Sequence, residues 1–481
     1  MRTTLDIDDA LLSEAKRRAA DKGTTLTAFV EHARSSRSRA STPRSASPPP
    51  AAAGRRQGPR APVSAGARWT PARLAIAGIV AIAAAALIVR GVVSWNDARA
   101  ERLATACRAA HRAEDYAAEE RLAGEWVGAL PGAAEPLFFL AQAQLGLGKQ
   151  REAADTLGRL PDGDPLTLTA LGDRADLLFG DLQDPREAAQ TCERILRIDP
   201  SNGEAHRRLC FFYAATLQRE KLAVQARRAI DLGCETPETY VYVVGSDWLT
   251  LSNTLSVNSH WLKASPDDEL FLVAAARGFV SNSGLEEEVA GPEESEGGEQ
   301  KVPEHDRRLR ELLDRFPGNL ELLAYFLQKA TTRGDIDGVT TLLGQAPPEA
   351  EADNRFWRFK GWVHGQSDQP DEAEAAYRRA LEIDAYDFAA QHQLAGALRK
   401  RGKLEEAADF ARLAAEGRSL RKTILEQPDV RTIPPGVLGE MGRYAEACGD
   451  RDVAGRISAR LRQIGTPPSA GGPPRSKVQI P

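Results

Sequence analysis

The chain has few aromatic residues, 6% of its length, which suits stacked alanine-rich helices better than a β-sandwich. Its five cysteines, Cys107, Cys192, Cys210, Cys234 and Cys448, are scattered. They form neither a CxxC pair nor a metal-ligand spacing and are expected as small buried hydrophobes, although sequence leaves a disulfide open. There is no complete phosphate-binding loop, because GLGK at Gly146 lacks the remaining glycine spacing. There is no HExxH, no GxSxG elbow and no cluster of His, Cys and Asp. No catalytic residue, metal site or cofactor is therefore expected. The formal net charge of −5 is close to balance, so the chain as a whole does not advertise a nucleic-acid partner.

What the chain does have is a period. The stretch from Asn354 and the stretch from Phe388 coincide when set 34 residues apart: Ala373 lies over Ala407, Ala380 over Ala414, Gly361 over Ala395 and Tyr377 over Ala411. One period earlier, Leu323, Leu327, Val339, Leu343 and Ala346 fill the corresponding sites more loosely. Small residues at fixed offsets in a period of this length predict repeated helix pairs that bury their apolar faces only against neighbouring pairs, an all-α solenoid. Gly334, Asp368 and Gly402 stand where the two helices of each pair must turn. Here the chain resembles the tetratricopeptide repeat (TPR) family, matching its pattern at Trp357, Gly361, Ala373, Tyr377 and Ala380 and departing from it at His364 and Ala385. Helix pairs of this kind are expected over residues 96–465. Further units are read from Ala134, from Thr169 and from Gly203, and the phase drifts after Thr236. The stretch 285–305, LEEEVAGPEESEGGEQKVPEH, is expected as an acidic disordered insertion, and 466–481 as a disordered tail.

The resemblance implies a concave groove lined by the first helix of each pair. The phase places Arg355, Arg358 and Trp362 there in one unit and His392, Arg399 and Lys400 in the next, with Glu204, Arg207 and Phe211 in an earlier one. Five of the first six are basic or can become so, which predicts an extended, possibly acidic, protein or peptide partner bound through bidentate arginine contacts. The chain's own acidic stretch, Glu286 to Glu299, is a second candidate occupant. His364 falls on the first helix of its repeat and is expected to fill an aromatic packing site.

Ahead of the solenoid the organisation changes. Residues 1–34 read as strand, helix, turn, helix: Thr3, Leu5 and Ile7 alternate with Arg2, Thr4 and Asp6, and Gly23 separates two apolar-striped helices. This layout resembles the ribbon-helix-helix module of bacterial antitoxins. The resemblance implies a homodimer whose ribbon carries Arg2, Thr4 and Asp6 to DNA base edges, with the amides at Thr24 and Thr25 on a phosphate. Residues 35–71 hold seven arginines and no acidic residue among Ser, Pro and Ala, as in a disordered basic linker that can lie on anionic lipid or on nucleic acid. Residues 72–95 carry the apolar run Leu74–Val89 between Trp69 and Trp95, as in a single transmembrane helix in a lipid bilayer. The arginines on its N-terminal side predict an inner-membrane protein with a cytoplasmic N-terminus and an extracytoplasmic solenoid. The expected function is a membrane-anchored, non-enzymatic scaffold that binds protein. The alternative is a membrane-tethered transcription regulator whose N-terminal dimer binds DNA. A third is a scaffold that assists assembly of a complex or an envelope enzyme.

Overall fold

The computed structural model describes residues 95–245, 254–282 and 303–465, and all of them belong to one unit, Ala83–Pro481. Every regular element among the described residues is helical. In chain order they are α1 (95–112), α2 (Tyr116–Ala129), α3 (Ala134–Gly146), α4 (Gln150–Leu157), α5 (Leu166–Phe179), α6 (Pro185–Ile198), α7 (Gly203–Ala215), α8 (Arg219–Leu232), α9 (Pro237–Val244) and α10 (Thr254–Trp261). There follow α11 (Glu269–Asn282), α12 (Glu304–Arg315), α13 (Leu320–Thr332), α14 (Ile336–Gln345), α15 (Asn354–Gln366), α16 (Pro370–Ile383), α17 (Phe388–Lys400), α18 (Leu404–Leu425), α19 (Pro435–Ala447) and α20 (Arg451–Gly465).

The pairing is set by a turn that recurs with the same backbone shape. Between the helices of a pair one residue adopts a left-handed φ: Glu114 (55°), Gly148 (74°), Gln183 (52°), Leu217 (57°), Gly334 (71°), Asp368 (55°), Gly402 (74°) and Gly449 (86°). The next residue then donates its N–H to a carbonyl near the end of the preceding helix, as Lys149 does to Gln144 at 2.8 Å, Gln369 to His364 at 2.9 Å and Lys403 to Leu398 at 2.9 Å. These bonds satisfy carbonyls that a helix end leaves without partners. From 114 to 148, 183 and 217 the steps are 34, 35 and 34, and from 334 to 368 and 402 they are 34 and 34, so one period runs through both halves. The second helix starts on a side-chain cap where Asp115, Asp184 and Asp335 accept the amides of Ala118, Glu187 and Gly338.

Successive helices pack on each other, and first helices of adjacent pairs also touch, α3 on α5 and α15 on α17, as a solenoid requires. Small residues carry these crossings: Ala141, Ala170, Ala188, Ala380, Ala390 and Ala395 are each wholly buried. Gly361 shows why the position must be small, since a Cβ there would lie 2.6 Å from the ring of buried Tyr377.

Two features break the regular stack. Helix α18 runs 22 residues where its counterpart α16 runs 14. The chain then returns: α19 and the short 3-10 turn Val430–Thr432 pack against α9, far away in sequence. A single apolar cluster accordingly joins Tyr240, Val241 and Val244 with Leu420, Val437, Leu438, Met441 and Ile457. The C-terminal hairpin thus closes the later pairs into a ring.

Helix α12 begins at Glu304, so the last residues assigned to the acidic insertion are helical, and the rest of that stretch lies outside the described residues. Outside them too lie the ribbon-helix-helix module at 1–34, the linker at 35–71, the transmembrane segment at 72–95 apart from Trp95, and most of the tail. No described helix is long and apolar enough to cross a membrane.

Candidate functional site

The phased groove residues divide into two groups. Arg355 and Arg358 are not open to a partner, because both guanidiniums are buried against carboxylates of the chain itself. Arg355 Nη2 donates to Glu321 Oε1 at 2.7 Å and to Asp353 Oδ2 at 2.7 Å. Glu321 also accepts from Arg219 Nε at 2.7 Å, so one carboxylate from α13 ties the start of α8 to the start of α15. Arg358 Nη1 reaches both oxygens of Asp387 at 2.8 Å, and Asn354 donates to the same carboxylate at 2.9 Å. Burial alone would raise the Glu321 carboxyl, yet the charges of Arg219 and Arg355 outweigh it and hold the group well below the usual carboxylate range. These are structural ion pairs, which corrects the expectation of a basic groove at this unit. Trp362 is half-buried and packs on the cluster around Leu323 and Phe356.

His392, Arg399 and Lys400 are exposed on α17, and Lys400 Nζ donates to the Gly365 carbonyl at 3.2 Å. Of the basic residues phased to the groove, only these three are therefore exposed. In the earlier unit Arg207 Nη2 pairs with Glu204 Oε1 at 2.6 Å, and Phe211 packs on the main apolar cluster. His364 does not fill an aromatic packing site: it is half-buried, with Nδ1 2.7 Å from Gln369 Oε1, next to the tight turn. The DNA candidates Arg2, Thr4, Asp6, Thr24 and Thr25 lie outside the described residues.

One shallow concavity among the described residues lies elsewhere. Between the C-terminal ends of α3 and α5 lies a cleft of about 320 Å³ lined by Leu145, Asp173, Asp176, Leu177, Gly180 and Asp181. The stacked first helices of two adjacent pairs form its walls. Asp176 pairs with Arg208 Nη2 at 2.7 Å while its side chain stays 68% exposed, and Asp181 accepts from Gln150 at 2.7 Å. Burial, and then the neighbouring Asp176 charge, push the Asp173 carboxyl up. Two leucines and three carboxylates thus give this cleft apolar and acidic surface side by side. Sequence reasoning misses it, because groove residues are phased only in the units of Arg355, His392 and Glu204 and not in the unit from Thr169. The spacing of Asp173 and Asp176, one helical turn apart on the first helix, is the signal that could have found it.

No group of three His, Cys, Asp or Glu side chains suited to a metal occurs among the described residues. The five cysteines are free. Cys107, Cys192, Cys210 and Cys448 are each pushed up to about 12, first by burial, so they are protonated thiols and poor nucleophiles.

The tetratricopeptide repeat family model matches residues 355–387, which is α15 with α16 and the turn between them. No curated protein matches the chain. Among solved structures, it is similar to a tetratricopeptide repeat protein from Parabacteroides merdae, at 14% identity over 62% of this chain and 99% of that one, with a TM-score of 0.24. It is also similar to the pilF protein of Pseudomonas aeruginosa, at 15% identity over 55% of this chain and 91% of that one, with a TM-score of 0.24. Residues 355–387 are thus a tetratricopeptide repeat, set in an all-α solenoid of the same helix-pair design.

Proposed function

We propose that the chain is a non-enzymatic scaffold that binds a protein segment on the concave face of its N-terminal helix pairs. The observation that carries this reading is the open cleft between α3 and α5, set against a later face whose arginines are already neutralised from within. Its lining favours a segment with a lysine or arginine beside an apolar residue, rather than the acidic partner expected from the phased arginines. We further propose that the apolar run Leu74–Val89 anchors the protein in a membrane with the arginine-rich 35–71 on the cytoplasmic side; this rests on the sequence alone.

A displayed library of random dodecapeptides selected on the full chain tests the binding reading. Enrichment of Lys- and Arg-containing peptides, lost in Asp173→Lys/Asp176→Lys and kept in Arg399→Ala/Lys400→Ala, is the expected result. Enrichment of acidic peptides, or selection indifferent to the aspartate variant, overturns it. Alkaline carbonate extraction of cell membranes tests the anchor: release of the full-length chain refutes it.

A further inference from the structure

In the first helix pair, α2 buries a carboxylate that no lysine or arginine answers. The Glu119 side chain is 0% exposed. Its Oε1 lies 2.9 Å from Nδ1 of His111 on α1, and its Oε2 has no hydrogen-bond partner. The imidazole is 44% exposed and stands edge-on to Phe139 of α3 at 5.4 Å, so it connects the buried carboxylate to solvent. The other deeply buried carboxylates among the described residues have partners of a different kind. Asp306 faces Lys329, Glu321 faces Arg219 and Arg355, Glu374 faces Arg401 and Lys403, and Asp387 faces Arg358. Glu238 accepts from Tyr242. We propose that His111 and Glu119 form a proton-sensitive joint that sets how firmly α1 is held on α2.

Few other groups face this pair. From α1 comes the Cys107 thiol, which burial pushes up to about 12 and so keeps neutral. Arg108 of the same helix is taken by Glu135 of α3 at 2.5 Å, and on α2 the neighbouring Glu120 is taken by Lys149 at 2.7 Å. The rest of what α3 presents to the first pair is apolar, Phe139 and Leu140. Burial pushes the Glu119 carboxyl up, and the charge and hydrogen bond of His111 offset this only in part. A carboxyl raised on folding contributes stability that is full below the ordinary glutamate value and is lost as pH rises through the folded value. The first pair is therefore tightest in mild acid and loosens as the proton leaves. His206 and His305, whose imidazoles burial pushes down, have the opposite sign, so loosening with rising pH is not their signature. The joint is well placed to matter. Helix α1 follows the apolar run Leu74–Val89 in sequence, and the cluster it forms with α2 covers Phe139 and Leu140 of the helix that carries Leu145 to the cleft.

Hydrogen exchange in the full chain, corrected for the intrinsic rate at each pH, reports the opening of each helix. The expected result is that protection over 100–112 falls at least about threefold between about pH 5 and about pH 8, while 370–400 holds its value. Glu119→Gln keeps the acceptor for His111 and places a neutral amide where the unpaired oxygen lies. It should abolish the fall and leave α1 better protected than in the parent at the higher pH. His111→Phe keeps a ring against Phe139 but removes the only donor to the carboxylate. Withdrawing a bond that favours the charged form should widen the difference between the two pH values, and this variant decides the question if Glu119→Gln loosens the pair through its own packing. Constant protection over 100–112 in the parent, a fall that survives Glu119→Gln unchanged, or a difference that narrows in His111→Phe overturns the joint and leaves Glu119 a buried group without a regulatory role.

Discussion

Replacing Glu321 by glutamine changes one atom type at the point where three helices meet. Its carboxylate lies between two guanidiniums, and the side chains of Glu321, Arg219 and Arg355 are 9%, 14% and 8% exposed. Glutamine keeps the shape but removes the charge that Arg219 and Arg355 share at this node, and its amide nitrogen points a donor at a donor. Removing one member of a buried ion pair costs about 3–5 kcal/mol, because the desolvation of the remaining charge is no longer offset. Arg355 retains Asp353, so the lower end of that range applies, about 3 kcal/mol. Urea unfolding followed by far-ultraviolet circular dichroism at neutral pH measures it. The pH dependence adds a second check. A carboxyl whose folded pKa is depressed contributes stability that is present above its unfolded pKa and is lost as pH falls through the folded value. The gap between Glu321→Gln and the parent should therefore shrink on acidification. In an Arg355→Met background the same substitution should cost at least about 1 kcal/mol less, since neighbours in one network couple. A cost below about 1 kcal/mol at neutral pH, with no coupling, would show that the node contributes little and that the ring is held by its apolar core.

Other substitutions address the repeat itself. Glu114 is exposed and holds φ at 55°, so Glu114→Gly should raise stability by about 0.5–1 kcal/mol in urea unfolding, by removing left-handed strain from a non-glycine residue. Gly361→Ala should do the opposite. Its new Cβ meets the Tyr377 ring at 2.6 Å, and that ring is 5% exposed with little room to yield, so a net loss of about 1–2 kcal/mol is expected despite the better helix former. A neutral or raised midpoint would show that the crossing of α15 and α16 can open. Glu374 accepts hydrogen bonds from Lys403, Arg378 and Arg401; burial opposes ionisation, but these donors prevail and hold its carboxyl at about 2. Its contribution is present above the ordinary glutamate value and lost as pH falls from there towards 2. Glu374→Gln should therefore flatten the acid limb of a stability–pH profile, and an unaltered limb would exclude Glu374 as a source of acid sensitivity.

How much of this fold can be seen in the sequence depends on which residue makes each turn. Gly334, Asp368 and Gly402 are residue types that favour a left-handed turn, and the period around them is plain. The turns at Gln183 and Leu217 have the same backbone but residues that do not signal it, so those two units are less plain than the one that turns at Gly148. Nothing local announces the ring. Helix α18 extends through Gly417, where a Cβ would collide with the Tyr444 hydroxyl of the next helix, whereas the return of α19 onto α9 joins segments about 200 residues apart. Helix α13 is hard to read for a different reason, its place inside a second apolar cluster. Its residues 321–327 are buried without a break, including Glu321, so it carries no solvent-facing stripe in this stretch and a period-based reading has nothing to phase against.

The groove assignment fails for a reason the period itself contains. Glu321 and Arg355 are 34 residues apart, so they occupy the same site in consecutive units. A solenoid sets equivalent sites side by side, and opposite charges there neutralise each other before any ligand arrives. Arg358 is likewise answered from the next unit, by Asp387, although the two are 29 residues apart and not at equivalent sites. Charge on a concave face is therefore available to a partner only where the equivalent residue one period away fails to answer it. Arg399 meets that condition, since the residue 34 positions earlier is Gly365, which has no side chain to answer it. The cleft at Asp173 meets it more fully. With the local steps of 35 and 34, the equivalents of Asp173 are Phe138 and Arg207. Phe138 carries no charge, and Arg207 is engaged by Glu204 of its own helix. The next residue, Arg208, reaches into the cleft's rim at Asp176. That asymmetry, one guanidinium against three carboxylates, is the reason a basic segment rather than an acidic one is proposed as the partner.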